Sequence, residues 1–447
     1  MSRRKNSIIF ITIVFLCFLL LTQLMGDNAE NTPNLQDLEQ VTGLPVDPNI
    51  IPGSEPIELT AVVFMEPEEF RTISGWNDEF QKMHPGTTIT LTNLTYEQSY
   101  LYFKEQARTG QSSNIMMLNN SWISEFAARG YLSYRANEFN PIENGPTYNQ
   151  ALAQTEWNGY TWAVPHSVDP YIVVWNPKLI KNIEGESELP ESLDEWLVLH
   201  DHLLLNDPTY EGIHINAKDA QAFVSLIWAL QGEWSTELDH MYTLDTDKDI
   251  ELLERLMTVD QIDNKDGLTK PLLNMQPLPL DDSWEKFANN QFGAMVVPLS
   301  EWMARKNGSE AISISLLGGD SQETGLWLSG TSYAVSSQSL HQEMAYSWIT
   351  WMTNLTHQIQ TLGMTYTLPV NLTTLDSNNM LSLPQSELLR KTVEKGRAWS
   401  KDPQLTIKMN VLQQAIGDIA ENPSLIQQWN VQLEQSWKQI NATTNIP

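Results

Sequence analysis

Cysteine is almost absent from this chain: Cys17 is the only one among 447 residues, and it lies in an apolar run near the N-terminus. A lone cysteine excludes internal disulfides, so the fold must be held together by its hydrophobic core. Basic residues are also scarce, with 26 Lys and Arg against 55 Asp and Glu. So negative a surface repels phosphate backbones and anionic lipids, which argues against nucleic acid and membrane surfaces as partners of the folded part.

Sequence motifs for catalysis are missing as well. The chain has no Gly-rich phosphate loop, no Gly-x-Ser-x-Gly turn and no His-Glu-x-x-His motif. His200 and His202 are two residues apart in a predicted helix, so they point to different faces and cannot share a metal ion. With so many carboxylates, any glycosidase-like pair could be chosen without support. We therefore predict no enzyme activity, no cofactor and no metal ion.

The longest apolar run is at the N-terminus. Arg3, Arg4 and Lys5 precede the apolar residues 8–21, an order typical of a secretory signal. Residues 24–26 only weakly resemble a cleavage site, and bulky residues precede Cys17, which disfavours lipid attachment there. Export is therefore predicted, with residues 1–26 either removed or kept as a membrane anchor, although the run is shorter than the roughly 20 residues of a membrane helix.

Residues 27–55 are polar and rich in proline, without hydrophobic periodicity. This composition predicts a flexible tether, after which the folded part begins near Ile57. A chain of 447 residues is long enough for about two or three domain-sized units.

Strand and helix patterns alternate in the first part of the folded region. Residues 57–65 are apolar and rich in β-formers, and Pro67 begins a helical pattern. Further strand patterns at residues 88–94 and 114–118 are separated by another helix. This alternation predicts an α/β fold with a largely parallel sheet, and most of the chain after residue 341 has helical periodicity.

The 16 tryptophans are a further feature of the composition. Trp122, Trp302 and Trp327 lie beside predicted turns, where polar residues accompany them. An indole face fits the apolar face of a pyranose, and Asn, Asp and Glu supply the hydrogen bonds that sugar hydroxyls need. The pattern favours a carbohydrate site, although core packing is an equal alternative for these three, and tryptophans on helical faces are expected in the core.

Eight short motifs occur in a fixed order along the chain: FQKMHPG (80–86), NIMM (114–117), EFAARGYL (125–132), YTWAVP (160–165), VWN (174–176), LPESLDEW (189–196), FANNQFGAM (287–295) and GTSYAVSS (330–337). Together they resemble the bacterial extracellular solute-binding proteins of the maltodextrin-binding type. The resemblance implies an α/β, two-lobed periplasmic-binding-protein-like (type II) fold with three hinge crossovers near residues 164–169, 296–299 and 326–331. It also implies a ligand held between the lobes and a closed form that a membrane permease recognises.

The same resemblance implies a division into lobes. Lobe 1 would comprise residues 56–166 and be completed by residues 299–328. Lobe 2 would comprise residues 167–298 and be completed by residues 329–447.

Ligand-binding positions of the family correspond to residues of several separate segments: Met65, Glu66, Asn119, Asn120, Trp122, Asp169, Trp302, Gly330 and Thr331. Trp327 joins them as a candidate aromatic contact. Asp169 is the preferred polar candidate, and the alternative for it is a hinge residue that caps a turn. Where maltodextrin-type members stack an aromatic residue late in the chain, this sequence offers Met409 and Asn410, which argues against a long glucan platform.

The expected function is that of a monomeric, non-enzymatic receptor that captures a sugar, an oligosaccharide, outside the membrane and delivers it to an ABC-type permease. The alternative is a membrane-anchored ligand sensor or scaffold on the same fold, which the weak cleavage site favours. A secreted hydrolase is a third possibility, since one fold hosts many functions, but no catalytic motif supports it.

Overall fold

The computed structural model describes residues 56–134, 147–180, 190, 193–230, 247–258, 270–305, 313–315, 327–362, 364–375, 386–397 and 401–443. The predicted leader and tether lie outside the described residues. Pro56–Pro447 form one compact unit. Within the described ranges, no helix is both long and apolar enough to cross a membrane.

The strands of the described residues are β1 (Ile57–Phe64), β2 (Thr87–Leu94), β3 (Ile115–Asn119), β4 (Glu156–Trp157), β5 (Tyr160–Thr161), β6 (Val164–Trp175), β7 (Ile213–His214), β8 (Leu273–Asn274), β9 (Ala294–Pro298), β10 (Ser313–Ser315), β11 (Leu328–Val335) and β12 (Leu368–Pro369).

The α-helices of the same residues are α1 (Pro67–Met83), α2 (Tyr96–Arg108), α3 (Ile123–Ala128), α4 (Asn149–Ala153), α5 (Pro177–Ile180), α6 (Leu193–Asn206), α7 (Ala220–Ala229), α8 (Asp247–Met257), α9 (Leu280–Ala288), α10 (Leu299–Arg305), α11 (Gln342–Met352), α12 (Leu355–Thr361), α13 (Leu372–Leu375), α14 (Ser386–Lys395), α15 (Leu405–Glu421) and α16 (Ile426–Thr443).

Helix α1 shows how local sequence sets these elements. Pro67 occupies its first turn, where the missing N–H costs nothing, and acidic residues follow it near the positive end of the helix dipole. Ile73, Trp76 and Phe80 recur at helical spacing and are buried. The helix ends at Met83, and Gly86 then turns the chain with a φ of 88°. The predicted beginning of this helix at Pro67 is confirmed.

Most strands join one mixed sheet with the order β2-β1-β3-β11-β6-β9-β7-β8. β1 pairs in parallel with β2 and with β3, as the alternation of strands and helices predicted. β11 is antiparallel to both of its neighbours, β3 and β6. The sheet is therefore parallel at its β1 end and turns antiparallel at its centre.

β6 is the strand that joins the two halves of this sheet. Its first residues, from Val164 to Pro170, pair with β11, whereas Tyr171 to Trp175 pair with β9. The first predicted crossover, residues 164–169, thus lies within β6. The second lies where β9 meets α10. β11 contains the described part of the third, and residue 326 lies outside the described residues.

Three large hydrophobic clusters flank the sheet. The first packs α1, α2 and α11 against β1, β3 and β11. The second joins α7 and α8 to the C-terminal helices α15 and α16. The third surrounds the middle of β6 with α9, α10 and α14.

The first cluster also includes residues from late in the chain. Tyr333 on β11 and Trp348 on α11 belong to it, although residues 329–447 were expected to complete lobe 2. The reason is that β11 pairs with β3, which carries the helix after it back to the first half of the sheet.

Helix α15 is anchored by a buried ion pair. Lys408 Nζ lies 2.7 Å from Asp402 Oδ2, and their side chains are 0% and 4% exposed. Leu412 and Ile416 continue the buried face of the helix in the second cluster. The ion pair therefore fixes the rotation of α15 and, with it, the residues on its opposite face.

We predict that Lys408→Ala will lower the free energy of unfolding by about 3–5 kcal/mol, because it leaves the Asp402 carboxylate buried without a countercharge. Urea denaturation measures the change. The matched control is Lys438→Ala, which removes a largely exposed lysine 4.0 Å from Glu434 and should alter stability little. Equal effects of the two substitutions would contradict this role of the buried pair.

Candidate functional site

Two adjoining cavities, of about 380 Å³ and about 730 Å³, lie beside the middle of β6. They share the lining residues Glu66, Tyr96, Asn119, Asp169, Ser300, Glu301 and Ser329. We call the two cavities together the cleft. Glu66 and Asn119 come from the carboxyl ends of the parallel strands β1 and β3, the edge where α/β sheets hold their ligands.

The other side of the cleft is formed by the second half of the fold. Asp169 lies on β6, Asp219 immediately precedes α7, and Glu301 lies in the first turn of α10. Met409 and Asn410, which follow Lys408 on α15, line the larger cavity. A ligand in the cleft would thus touch residues of both halves of the sheet.

Asp169, the preferred polar candidate, lines both cavities. Its carboxylate accepts hydrogen bonds from the backbone N–H of Ser300 at 2.9 Å and from the Ser300 hydroxyl at 2.7 Å. Burial raises the pKa of Asp169 to about 6, and the negative charge of Glu301 adds to the rise while the Ser300 bonds oppose it. Asp169 therefore ties β6 to the start of α10 and keeps acceptor capacity for a ligand.

Asp219 is a site residue that the sequence analysis missed. Its side chain caps α7 by accepting from the backbone N–H groups of Gln221 and Ala222, and it also accepts from the Tyr171 hydroxyl at 3.0 Å. Burial raises its pKa. An Asp directly before an apolar helix is an N-cap signal, which gives its local structure but not its place in a cleft.

Glu69 and His166 face each other at the inner end of the smaller cavity. Glu69 is 9% exposed, and its Oε1 lies 3.9 Å from His166 Nε2. Burial raises the pKa of Glu69 to about 7, with a further contribution from the charge of Glu66, and burial lowers the pKa of His166 to about 4. His166 Nδ1 in turn lies 3.3 Å from the Thr331 hydroxyl. Burial thus disfavours the charged forms of both Glu69 and His166.

The aromatic surface of the cleft is provided by Tyr96. It is 50% exposed and lines both cavities, while Trp122 behind it is 6% exposed. The two rings are stacked with centroids 5.7 Å apart, and Phe64 packs against both. Trp122 lines the larger cavity, but the exposed ring is Tyr96. The sequence gives no local signal for Tyr96, because it lies at the start of α2 with no turn motif beside it.

Gly330 and Thr331, two further candidates, line the smaller cavity. A Cβ at Gly330 would lie 2.2 Å from the backbone oxygen of Ser167. Glycine is therefore required there for the close approach of β11 to β6. Thr331 Oγ1 lies 2.9 Å from the Ser167 hydroxyl, which strengthens the same contact.

Three of the expected ligand contacts, Asn120, Trp302 and Trp327, are not among the residues that line the cleft. Asn120 is 3% exposed; its amide donates to Gln154 and its oxygen accepts from Ser332 at 2.6 Å, so it joins β3 to β11. Trp302 is 2% exposed in the third hydrophobic cluster. Trp327 is fully buried and stacks on Trp228 with centroids 5.3 Å apart.

Helical geometry explains the position of Trp302. The residues of α10 that line the cleft are Ser300, Glu301, Ala304 and Arg305. Trp302 follows Glu301 by one residue, a rotation of about 100° around the helix, which turns its side chain to the core.

Acidic residues outnumber basic ones in the lining. The carboxylates are Glu66, Glu69, Glu97, Asp169, Asp219 and Glu301, and the cations are Lys218 and Arg305. Arg305 is held by Asp281 at 2.7 Å and by Glu301 at 3.6 Å. Among the described residues, no group of three or more His, Cys, Asp or Glu side chains is placed to hold a metal ion. The cleft can therefore offer many hydrogen-bond acceptors, an aromatic ring and a negative field.

Comparison with known structures finds the same two-lobed α/β architecture. The GacH receptor of Streptomyces glaucescens, solved unliganded and with acarbose, superposes with a TM-score of 0.70 at 15% identity, covering 88% of this chain and all of that one. The sugar-binding protein MalE of Xanthomonas citri gives 0.70 at 14% identity, with 86% and 97% covered. Lmo0181 of Listeria monocytogenes, in complex with cycloalternan, gives 0.69 at 13% identity, with 87% and 100% covered. The expected fold class is confirmed.

Among curated protein sequences, no relative is found. The family model described as bacterial extracellular solute-binding protein matches residues 76–386, which is well over half of the chain. The expectation drawn from the eight motifs is thereby confirmed, and the chain belongs to the bacterial extracellular solute-binding proteins.

Proposed function

We propose that this protein captures a carbohydrate, an oligosaccharide, in the cleft and delivers it to an ABC-type permease, as a monomeric binding protein and not as an enzyme. The observation that carries the proposal is the lining of the cleft. Glu66, Asn119, Asp169 and Asp219 supply acceptors for sugar hydroxyls beside the exposed ring of Tyr96. The complexes of GacH with acarbose and of Lmo0181 with cycloalternan support the same class of ligand.

The size of the cleft supports more than one sugar ring. Small-molecule sites usually enclose about 300–1,000 Å³, and the larger cavity alone measures about 730 Å³. The smaller cavity continues it past Asp169 towards Thr331. A chain of two or more rings would occupy both.

Ligand capture would act through hinge closure about β6 and β11. We propose that the lobes follow the expected division, with residues 333–352 moved to lobe 1. A ligand that touches Tyr96 on one side and Asp219 on the other makes its full set of contacts only when the lobes are closed. It would therefore shift the population to the closed form that a permease recognises.

The alternative remains a membrane-anchored sensor or scaffold on the same fold. Its support is the N-terminal sequence, in which residues 24–26 make a weak cleavage site. We propose that the protein works at the outer face of the membrane, anchored through residues 1–26 or released after cleavage. Sequencing the N-terminus of the protein isolated from its cells distinguishes the two forms.

The first prediction of the proposal is a saccharide-dependent rise in melting temperature. A ligand at about 100 times its dissociation constant adds about 2.7 kcal/mol to the free energy of unfolding. We expect a thermal-shift screen of mono- and oligosaccharides to give such a rise, with amino acids, peptides and polyamines as controls. If only a control class stabilises the protein, the family assignment stands but the proposal of a carbohydrate ligand is wrong.

Asp169→Asn should separate binding from stability. We expect the affinity for the saccharide to fall by about 1–3 kcal/mol, since a buried acceptor for its hydroxyls is weakened. At about pH 7.5 the unliganded variant should melt at or above the wild-type temperature, because the wild-type protein must bury an ionised carboxylate whose pKa is about 6.

The sign of the pH effect follows from that raised pKa. Below pH 6 the wild-type carboxyl takes up a proton in the folded state, so the advantage of the variant should disappear on acidification. Titration calorimetry measures the affinity for the saccharide, and scanning calorimetry at several pH values measures the melting temperature. The control is Asp78→Asn, the same change at an exposed residue of α1 outside the cleft lining. If Asp169→Asn binds the saccharide as tightly as wild type, Asp169 is not part of the site.

Tyr96 and Trp302 should respond in opposite ways to substitution by alanine. Tyr96→Ala removes the exposed ring of the cleft and should weaken saccharide binding with little loss of stability. Trp302→Ala opens a hole in the third hydrophobic cluster and should lower the free energy of unfolding by about 3–5 kcal/mol. Paired titration and denaturation experiments measure the contrast; weaker binding by a fully stable Trp302→Ala protein would reverse our assignment.

A further inference from the structure

We infer that the saccharide this cleft selects carries a positive charge, in the form of a protonated amino group held at the Glu66–Glu69–Asp169 end of the cleft. The inference rests on the proposed carbohydrate function and narrows its ligand class. Its basis is the arrangement of charged groups around the smaller cavity.

The carboxylates at this end of the cleft have no basic partner. Among the described residues, no Lys or Arg nitrogen lies within 4.0 Å of a carboxylate oxygen of Glu66, Glu69 or Asp169. Arg305, the basic residue of this cavity, is already shared between Asp281 and Glu301. The negative charge here is thus not neutralised by the protein itself.

The strongest support for a cationic ligand comes from Glu69. It is 9% exposed, lines the smaller cavity and has no hydrogen-bond donor among the described residues; its closest basic group is the His166 ring at 3.9 Å. Asp169 and Asp219 differ, since each accepts bonds from neighbouring backbone N–H groups. A buried carboxylate without a donor is costly to the fold unless something else in the cavity pairs with it.

The carboxylates also repel one another. Burial is the main cause of the raised pKa of Glu69, Asp169 and Glu301. The charge of Glu66 adds to the rise at Glu69 and at Glu301, and the charge of Glu301 adds to it at Asp169. These groups therefore share one electrostatic neighbourhood, although they come from β1, α1, β6 and α10. An ammonium group placed among them would relieve each repulsion at once, whereas a neutral hydroxyl would relieve none.

A metal ion is a poorer fit for the same charge. The described residues contain no cluster of three or more His, Cys, Asp or Glu side chains with metal-holding geometry. The space is also far larger than an ion needs, at about 380 Å³ in the smaller cavity. Its continuation to Tyr96 suits an organic ligand with both a cationic group and a ring.

The test uses matched saccharides that differ in one substituent. Glucosamine disaccharides and trisaccharides of two linkages are compared with their hydroxyl and N-acetyl counterparts by titration calorimetry. The measurement is made at about pH 7, where Asp169, with a pKa of about 6, is mostly ionised and Glu69, with a pKa of about 7, is about half ionised. An amino group with a pKa of about 7.7–8.0 is mostly protonated at the same pH. We expect the aminated saccharide to bind at least about tenfold more tightly. Its binding, unlike that of the neutral ones, should weaken as salt rises from about 50 to 500 mM.

Glu69→Gln tests the location of the charge. This change keeps the shape of the side chain, so it should reduce affinity for the aminated saccharide by about tenfold and leave affinity for the hydroxyl counterpart nearly unchanged. Glu79→Gln, the same change on an exposed residue of the same helix outside the cleft lining, is the control and should alter neither. Circular dichroism melts verify that both variants are folded.

Each outcome has a definite meaning. Equal or tighter binding of the neutral saccharides overturns the inference and leaves the carbohydrate function standing. Tighter binding of the aminated saccharide that Glu69→Gln does not reduce overturns the assigned location. No binding by any saccharide of this panel overturns the inference, whereas the carbohydrate function falls only if the wider thermal-shift screen gives stabilisation by polyamines or peptides and by no saccharide.

Discussion

The structure depends on the pairing of one long strand with different partners along its length. β6 hydrogen-bonds to β11 through its first residues and to β9 through its last ones, so both halves of the fold share a single backbone. Asp169 lies near the point where the partner changes. The approach of β11 at this point is so close that a side chain at Gly330 would clash with Ser167. The cleft lies here because the strands that tie the two halves together run past it.

Function in this cleft is costly to the stability of the fold. Glu69, Asp169 and Asp219 are carboxylates with little solvent around them, and burial raises the pKa of each. A protein selected only for stability would replace such groups, whereas a receptor needs acceptors that remain available to its ligand. The buried pair of Lys408 and Asp402 differs, because its charges compensate each other and only position α15. Helix α15 thus carries both a buried structural residue, Lys408, and residues that line the cleft, Met409 and Asn410.

Some aromatic residues pack in the core and others line the cleft, and composition alone does not show which do which. Trp302 and Trp327 stabilise hydrophobic clusters, and Trp122 supports Tyr96 from behind. Tyrosine suits the exposed position because its hydroxyl tolerates water while its ring offers an apolar face. At 13–15% identity to the sugar-binding proteins it resembles, the chain keeps their architecture, so ligand choice must depend on lining residues such as these.

The sequence by itself determined the local elements and the family. Pro67 fixed the start of α1, the alternation of strands and helices gave the parallel part of the sheet, and the eight ordered motifs gave the class. Through the family resemblance it also named Asp169, Asn119 and Trp122, which line the cleft. Only the tertiary structure brought Glu69, Tyr96 and Asp219 to the same cavity, and only it returned residues 333–352 to the first half of the sheet. The reason is physical: these contacts join residues far apart in the chain, and in a helix a step of one residue, as from Glu301 to Trp302, turns a side chain from ligand to core.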